Sequence, residues 1–123
     1  MITISPITDK ERLSELYNEN KIEFTDAAFG VSAISGTDEL GYCLFDLYEK
    51  GIEVHILESH NDLSLADGIL RSALHVAAER SAMDAVYSKN APEDLFVKLG
   101  FILDKDERKL DIDKLFGGCN CKE

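Results

Sequence analysis

The chain reads as a single α/β domain on a mixed sheet, and three observations predict this. Short alternating or apolar runs recur along it, each closed by glycine, proline or polar turn residues. Three of these runs, between Ala28 and Glu58, are joined by connections too short for parallel crossovers, which predicts an antiparallel meander. A long amphipathic segment, Leu63 to Arg80, then separates the third run from "DAVYS", the arrangement of a right-handed βαβ unit.

The elements follow in order. "MITIS" alternates and predicts a first strand ended by Pro6. "TDKERLSELYNEN" predicts a helix: Leu13, Leu16 and Tyr17 share one face, and Thr8 with Glu11 has the form of a capping box. "AFGVSAIS", "YCLFDLYE" and "IEVHILES" are the meander strands. In the second of them Cys43, Phe45 and Leu47 alternate with Tyr42, Leu44 and Tyr48. Within Leu63–Arg80, Leu65, Ile69, Ala73 and Ala77 recur at every fourth residue. Asp67, Arg71, His75 and Glu79 form a polar row on another side. Ser64 with Asp67 repeats the capping-box spacing and predicts Ser64 as the cap of this helix. "PEDLFVKL" predicts a short helix ended by Gly100, and "FILD" with "KLDID" a closing hairpin around "KDER".

With 123 residues the chain can bury one core, and 45% hydrophobic with 30% charged residues is ordinary for a globular domain. Residues 1–116 are expected to form that domain and 117–123 a cysteine-containing tail. The 24 acidic residues against 13 basic give a net charge of −11, which disfavours nucleic acid and anionic membranes and suits cationic partners such as amines. No apolar run approaches the roughly 20 residues of a membrane span. The opening "MITISPITDKERL" lacks the pattern of a signal peptide, so the expected location is the cytoplasm. Cys43 sits in an apolar run as a core thiol. Cys119 and Cys121 form a C-N-C pair without matching histidine spacing, so no metal site is expected. Open strand edges make a homodimer conceivable.

Two segments within this element order resemble the GNAT superfamily of acyl-CoA-dependent N-acyltransferases. "LFVKLGF", Leu95 to Phe101, is similar to the family's "FYxKLGF", with Lys98, Leu99, Gly100 and Phe101 matching. In the second segment the family has a V-x-P strand end followed by Q/R-x-x-G-x-G/A, whose loop and helix N-terminus hold the CoA pyrophosphate. Setting Ile69-Leu70 on its paired leucines puts Ile56, Leu57 and Glu58 on V-x-P, Asn61 on the Gln/Arg, Ser64 on a glycine and Ala66 on the Gly/Ala.

The resemblance implies a GNAT-like fold, acetyl-CoA as acyl donor and a small-molecule or peptide amine as acceptor. It also implies cofactor contacts at Ile56, Leu57, Asn61, Ser64, Leu65 and Ala66, with Arg71 a candidate for the phosphates. Acyl transfer needs a base for the amine and a proton for the leaving thiolate. Glu53, His55 and Glu58 on the strand before the long helix are the candidate bases; alternation puts 53 and 55 on one face and 58 on the other. Histidine is the side chain that accepts a proton near neutral pH. The family's proton-donating tyrosine falls on Phe96, which has no proton to give, and Tyr87 in the neighbouring strand is the candidate replacement. Asp67 in the first turns of the helix is the second departure, since a carboxylate there repels pyrophosphate unless it turns away. The alternative is a GNAT-fold domain that has lost the chemistry and serves as a binding or regulatory module.

Overall fold

The computed structural model describes residues 2–117. Strands β1 (Ile2–Pro6), β2 (Ala28–Ser35), β3 (Asp38–Leu47) and β4 (Gly51–Glu58) are successive antiparallel neighbours, with helix α1 (Lys10–Glu19) between the first two. Helix α2 (Leu63–Glu79) crosses to β5 (Asp84–Tyr87), which pairs parallel to β4. Helix α3 (Glu93–Leu99) leads to the hairpin of β6 (Ile102–Asp104) and β7 (Lys109–Leu110), and α4 (Lys114–Gly117) follows. The sheet order is β1-β2-β3-β4-β5-β7-β6, so the meander, the βαβ unit and the closing hairpin expected from the sequence are all present. The Cys119–Cys121 tail lies outside the described residues.

Each face of the sheet carries its own apolar layer. Ala66, Ile69, Leu70, Ala73, Leu74 and Ala77 of α2 are fully buried against Val31, Ala33, Cys43, Phe45, Val54 and Leu57. On the opposite face Leu13, Leu16 and Tyr17 of α1 pack on Leu44, with Tyr42 and Ile56 beside them. The alternation in β3 divides as its sequence implies, Cys43 and Phe45 toward α2, Tyr42 and Leu44 toward α1. Complete burial of a Leu or Ile side chain contributes about 1.5–3 kcal/mol, so the apolar stripe of α2 accounts for much of the adhesion of that layer.

Both capping expectations need correction. The cap of α1 is Asp9, not Thr8, and its carboxylate accepts from the N–H groups of Glu11 and Arg12. The cap of α2 is Asp62, two residues before Ser64, and its Oδ1 accepts from Leu65 N–H at 3.0 Å. In both places two cap-forming residues lie close together. The carboxylate wins because it stands at the last extended residue and its charge answers the helix dipole. The "KLGF" junction behaves as expected: Gly100 is left-handed, with φ 76°, and Phe101 is fully buried. Lys114 donates to the carbonyls of Leu99 and Gly100 at 2.9 and 3.0 Å and lies over the Phe101 ring, which ties α4 to this turn.

Candidate active-site cleft

The site arises from an irregularity in β4. Residues 57 and 56 face 43 and 44 of β3, but the next pair is Phe45 with Val54, so His55 is one residue too many in the ladder. The bulge places both His55 and Ile56 toward α1. Leu57 returns to the α2 core, and Glu58 lies opposite Tyr42 on the α1 face. Simple alternation puts Glu58 on the other face from Glu53 and His55; the bulge brings all three to the same one.

The bulge also coincides with the end of the parallel pairing. The β4–β5 register stops at Val54↔Tyr87, and the last backbone bond, Ser88 N–H to Val54 carbonyl, measures 2.9 Å. Beyond it β4 runs on through Ile56, Leu57 and Glu58 while the chain after β5 turns into α3, so the strands part beside the start of α2.

The gap has a cavity on each side. One, of about 450 Å³, is lined by Leu57, Glu58, Ser59, Asn61, Leu63, Pro92, Asp94, Leu95 and Lys98. Two carboxylates, one ammonium, an amide and a hydroxyl therefore share the wall with four apolar residues. Its loop includes His60 and Asn61, both left-handed at φ 52° and 68°, a strained backbone just ahead of the helix. The carboxylate of Glu58 accepts from His60 N–H at 2.9 Å, which helps to hold that turn. Asp62 takes the N–H of Leu65, and its carbonyl takes that of Ala66, leaving those of Leu63 and Ser64 at the first turn of α2 for a ligand. The second cavity, about 260 Å³ on the α1 face, is lined by Asn20, Lys21, Ile22, Glu23, His55, Ile56, Ser88 and Asn90.

Beside this second cavity stands a polar cluster. Asp46 is buried in β3, directly opposite Glu53. Its Oδ2 accepts from Tyr48 hydroxyl at 3.2 Å, and the Tyr17 hydroxyl lies 3.4 Å from Oδ1. Tyr17 also donates to the Phe45 carbonyl at 2.7 Å and accepts from Phe29 N–H at 3.1 Å; burial pushes its hydroxyl well above the usual tyrosine range. His55 Nε2 approaches Asp46 Oδ2 to 3.0 Å. That nitrogen is nonetheless without a hydrogen-bond partner, because the distance is short but the N–H line misses the oxygen. The contact is a close approach of charge, not a directed bond.

The sequence-derived candidates divide accordingly. Ile56, Leu57, Glu58, Asn61 and His55 meet at the parting strands. Ser64 is exposed at the first turn, whereas Leu65 is half-buried and Ala66 wholly buried in the α2 core. Asp67 turns to Arg71, 2.8 Å away, and Arg71 lies against the Phe101 ring; neither lines the cleft. Tyr87 is buried, packs on Phe96 and donates from its hydroxyl to Glu93 at 2.5 Å. Burial, followed by the Glu93 carboxylate, pushes that hydroxyl up to about 12. Asp46 and Asp94 were not among the sequence candidates. The legible signal for Asp46 was an acid within the apolar run "YCLFDLY", on the parity of Tyr42 and Leu44.

No protein-family model matches the chain, and no curated protein matches it by sequence. Solved structures do. A ribosomal-protein-alanine N-acetyltransferase from Brucella melitensis biovar Abortus 2308 superposes with a TM-score of 0.61 at 16% identity, covering 85% of this chain and 94% of that one. A tyrosine-to-phenylalanine mutant of the AtaT toxin, bound to the C-terminus of the antitoxin AtaR, superposes with a TM-score of 0.58 at 15% identity, covering 98% and 99%. At such identities the likeness speaks to architecture, and the chain has the GNAT fold that its sequence resemblance implied.

Proposed function

We propose that the chain is an acyl-CoA-dependent N-acyltransferase that moves an acetyl group from acetyl-CoA to an amine. The observation that carries this reading is the parting of β4 from β5 at the His55 bulge, with a cavity on either side and the open first turn of α2 beside it. The pantetheine arm would run along the free edge of β4 past Ile56 and Leu57, its amides meeting the unpaired strand. The pyrophosphate would meet the N–H groups of Leu63 and Ser64, with Lys98 the cation on that wall. The amine would enter from the α1 side. Its nitrogen attacks the thioester carbonyl carbon, the C–N bond forms, the C–S bond breaks and the thiolate leaves. His55 accepts the amine proton, and Glu58, on the same face, draws a cationic amine toward the gap. Phe96 donates nothing and the Tyr87 proton is committed to Glu93, so neither of these two positions serves the leaving thiolate, which takes its proton from solvent.

The test is thermal unfolding with acetyl-CoA, desulfo-CoA or ADP. Acetyl-CoA at a hundred times its dissociation constant should add about 2.7 kcal/mol. No shift at millimolar acetyl-CoA would refute the reading. The same wall supports a second one. Glu58 and Asp94 against the single Lys98 disfavour a polyanionic cofactor, and both tyrosine positions are sealed in the core. These features favour a GNAT-fold binding module for a cationic ligand, and binding of an amine without any CoA response would select it.

A further inference from the structure

We propose that Asp46, Glu53 and His55 form a binding site for one divalent transition-metal ion, Zn²⁺ being the ion their donors suit. One imidazole nitrogen and two carboxylate oxygens lie within 4.8 Å of one another. Donors to a tetrahedral zinc stand about 2.1 Å from the ion, hence roughly 3.4 Å apart, so small side-chain rotations close the set. The environment asks for a cation. Asp46 and Glu53 are directly opposite across two antiparallel strands, a like-charged pair that is unfavourable unless neutralised. Among the described residues neither carboxylate forms an ion pair with lysine or arginine.

The independent observation is His55. Its side chain is 12% exposed, its Nε2 atom is fully enclosed, and that atom has no hydrogen-bond partner although Asp46 Oδ2 is 3.0 Å away. An enclosed imidazole nitrogen beside a carboxylate but not aimed at it can take an ion lying off the line between the two atoms, the nitrogen's proton leaving as the metal binds. The outer partners a metal ligand needs are also in place, since the Tyr48 and Tyr17 hydroxyls flank the two oxygens of Asp46. Three protein donors leave a fourth position, which a water from the adjoining cavity fills. Because His55 also lines the cavity assigned to the amine, the ion and proton transfer compete for one imidazole. That consequence rests on the transferase reading; the binding of the ion does not.

The experiment is calorimetric titration of the chelator-treated full chain with Zn²⁺, with Co²⁺ absorption as a second readout, both repeated in a Cys119→Ser/Cys121→Ser background. One equivalent should bind in that background, with a cobalt spectrum free of thiolate charge-transfer bands. Glu53→Gln and His55→Gln should each weaken binding about a hundredfold or more, and Tyr48→Phe roughly tenfold, in the range set by loss of an outer partner. Circular dichroism establishes that each variant is folded, and Glu53, at the less buried end of the cluster, is the decisive position. Stoichiometric binding that vanishes with the two cysteines, that is indifferent to Glu53→Gln, or that is undetectable at millimolar Zn²⁺ overturns the proposal.

Discussion

The two sides of β4 at its free end share one backbone opening and differ in almost everything else. Toward α2 and α3 the cavity is mixed, with Leu57, Leu63, Pro92 and Leu95 alternating with Glu58, Ser59, Asn61, Asp94 and Lys98. Toward α1 the polar groups interlock, with Tyr17 and Asp46 buried, Glu53 and His55 partly buried and Tyr48 exposed, and the five form a single contact network. The first side carries the shape of the fold with weakened chemistry. The second carries chemistry that the resemblance does not account for. The two sides meet at His55, whose place in the ladder makes the opening and whose ring belongs to the polar cluster.

The largest expected effect tests whether the cavity wall is core or site. Phe96 occupies the family's tyrosine position but is fully buried against Tyr87. Phe96→Ala should lower unfolding stability by about 3–5 kcal/mol in denaturant titration. A loss below 1 kcal/mol would mean that the residue faces the cleft. On the α1 side, Tyr17→Phe removes the hydroxyl shared by the Phe45 carbonyl, Phe29 N–H and Asp46. It should cost about 1–3 kcal/mol by the same measurement.

At the helix start, Ser64→Glu places a carboxylate beside the open first-turn N–H groups. Where acetyl-CoA binds the parent, the variant should lose most of its thermal shift with little change in its own stability. Asp67→Asn is the contrasting control: Asp67 is paired with Arg71 on the surface, so both stability and ligand response should change by no more than about 0.5 kcal/mol. In the loop before α2, His60→Gly relieves a left-handed side chain. Stability should rise by up to about 1 kcal/mol, the relief exceeding the added chain entropy. Tyr87 adds a pH test. Its hydroxyl is held at about 12, above the ordinary tyrosine value of about 10, so the folded state keeps a proton the unfolded chain has lost. Its contribution is intact below pH 10 and is lost as pH rises toward 12, and Tyr87→Phe should flatten the alkaline fall in stability over that window.

Much of this molecule was legible in its sequence, for identifiable reasons. Period-2 and period-3.6 patterns are local, so Cys43 and Phe45, or Ile69 and Ala73, revealed their faces without any tertiary information. Gly100 and Phe101 revealed a turn because a left-handed residue followed by a buried ring is a local demand. The helix caps were misjudged by one or two residues, because Asp9 and Asp62 compete with neighbouring hydroxyls and only backbone angles decide the contest. The bulge was invisible: an extra residue in "IEVHILES" leaves the composition of the run unchanged and alters only its parity. The union of Asp46 with Glu53 and His55 depended on cross-strand register, which spacing along the chain does not encode. Ala66 has a second physical account beside the resemblance. It matched a small-residue position of the family and is small here because α2 packs closely on the sheet.

The supernumerary His55 in β4 has a consequence for how this domain can change. Removing that residue would make the ladder with β3 regular, leave Ile56, Leu57 and Glu58 opposite Leu44, Cys43 and Tyr42, and take the imidazole out of the acid–imidazole group in a single event. Every remaining side chain would keep its layer, so the deletion removes the irregularity and the ring together. Set beside His55→Gln, which removes the ring alone, it separates what the extra residue does to the sheet from what its imidazole does in the cluster.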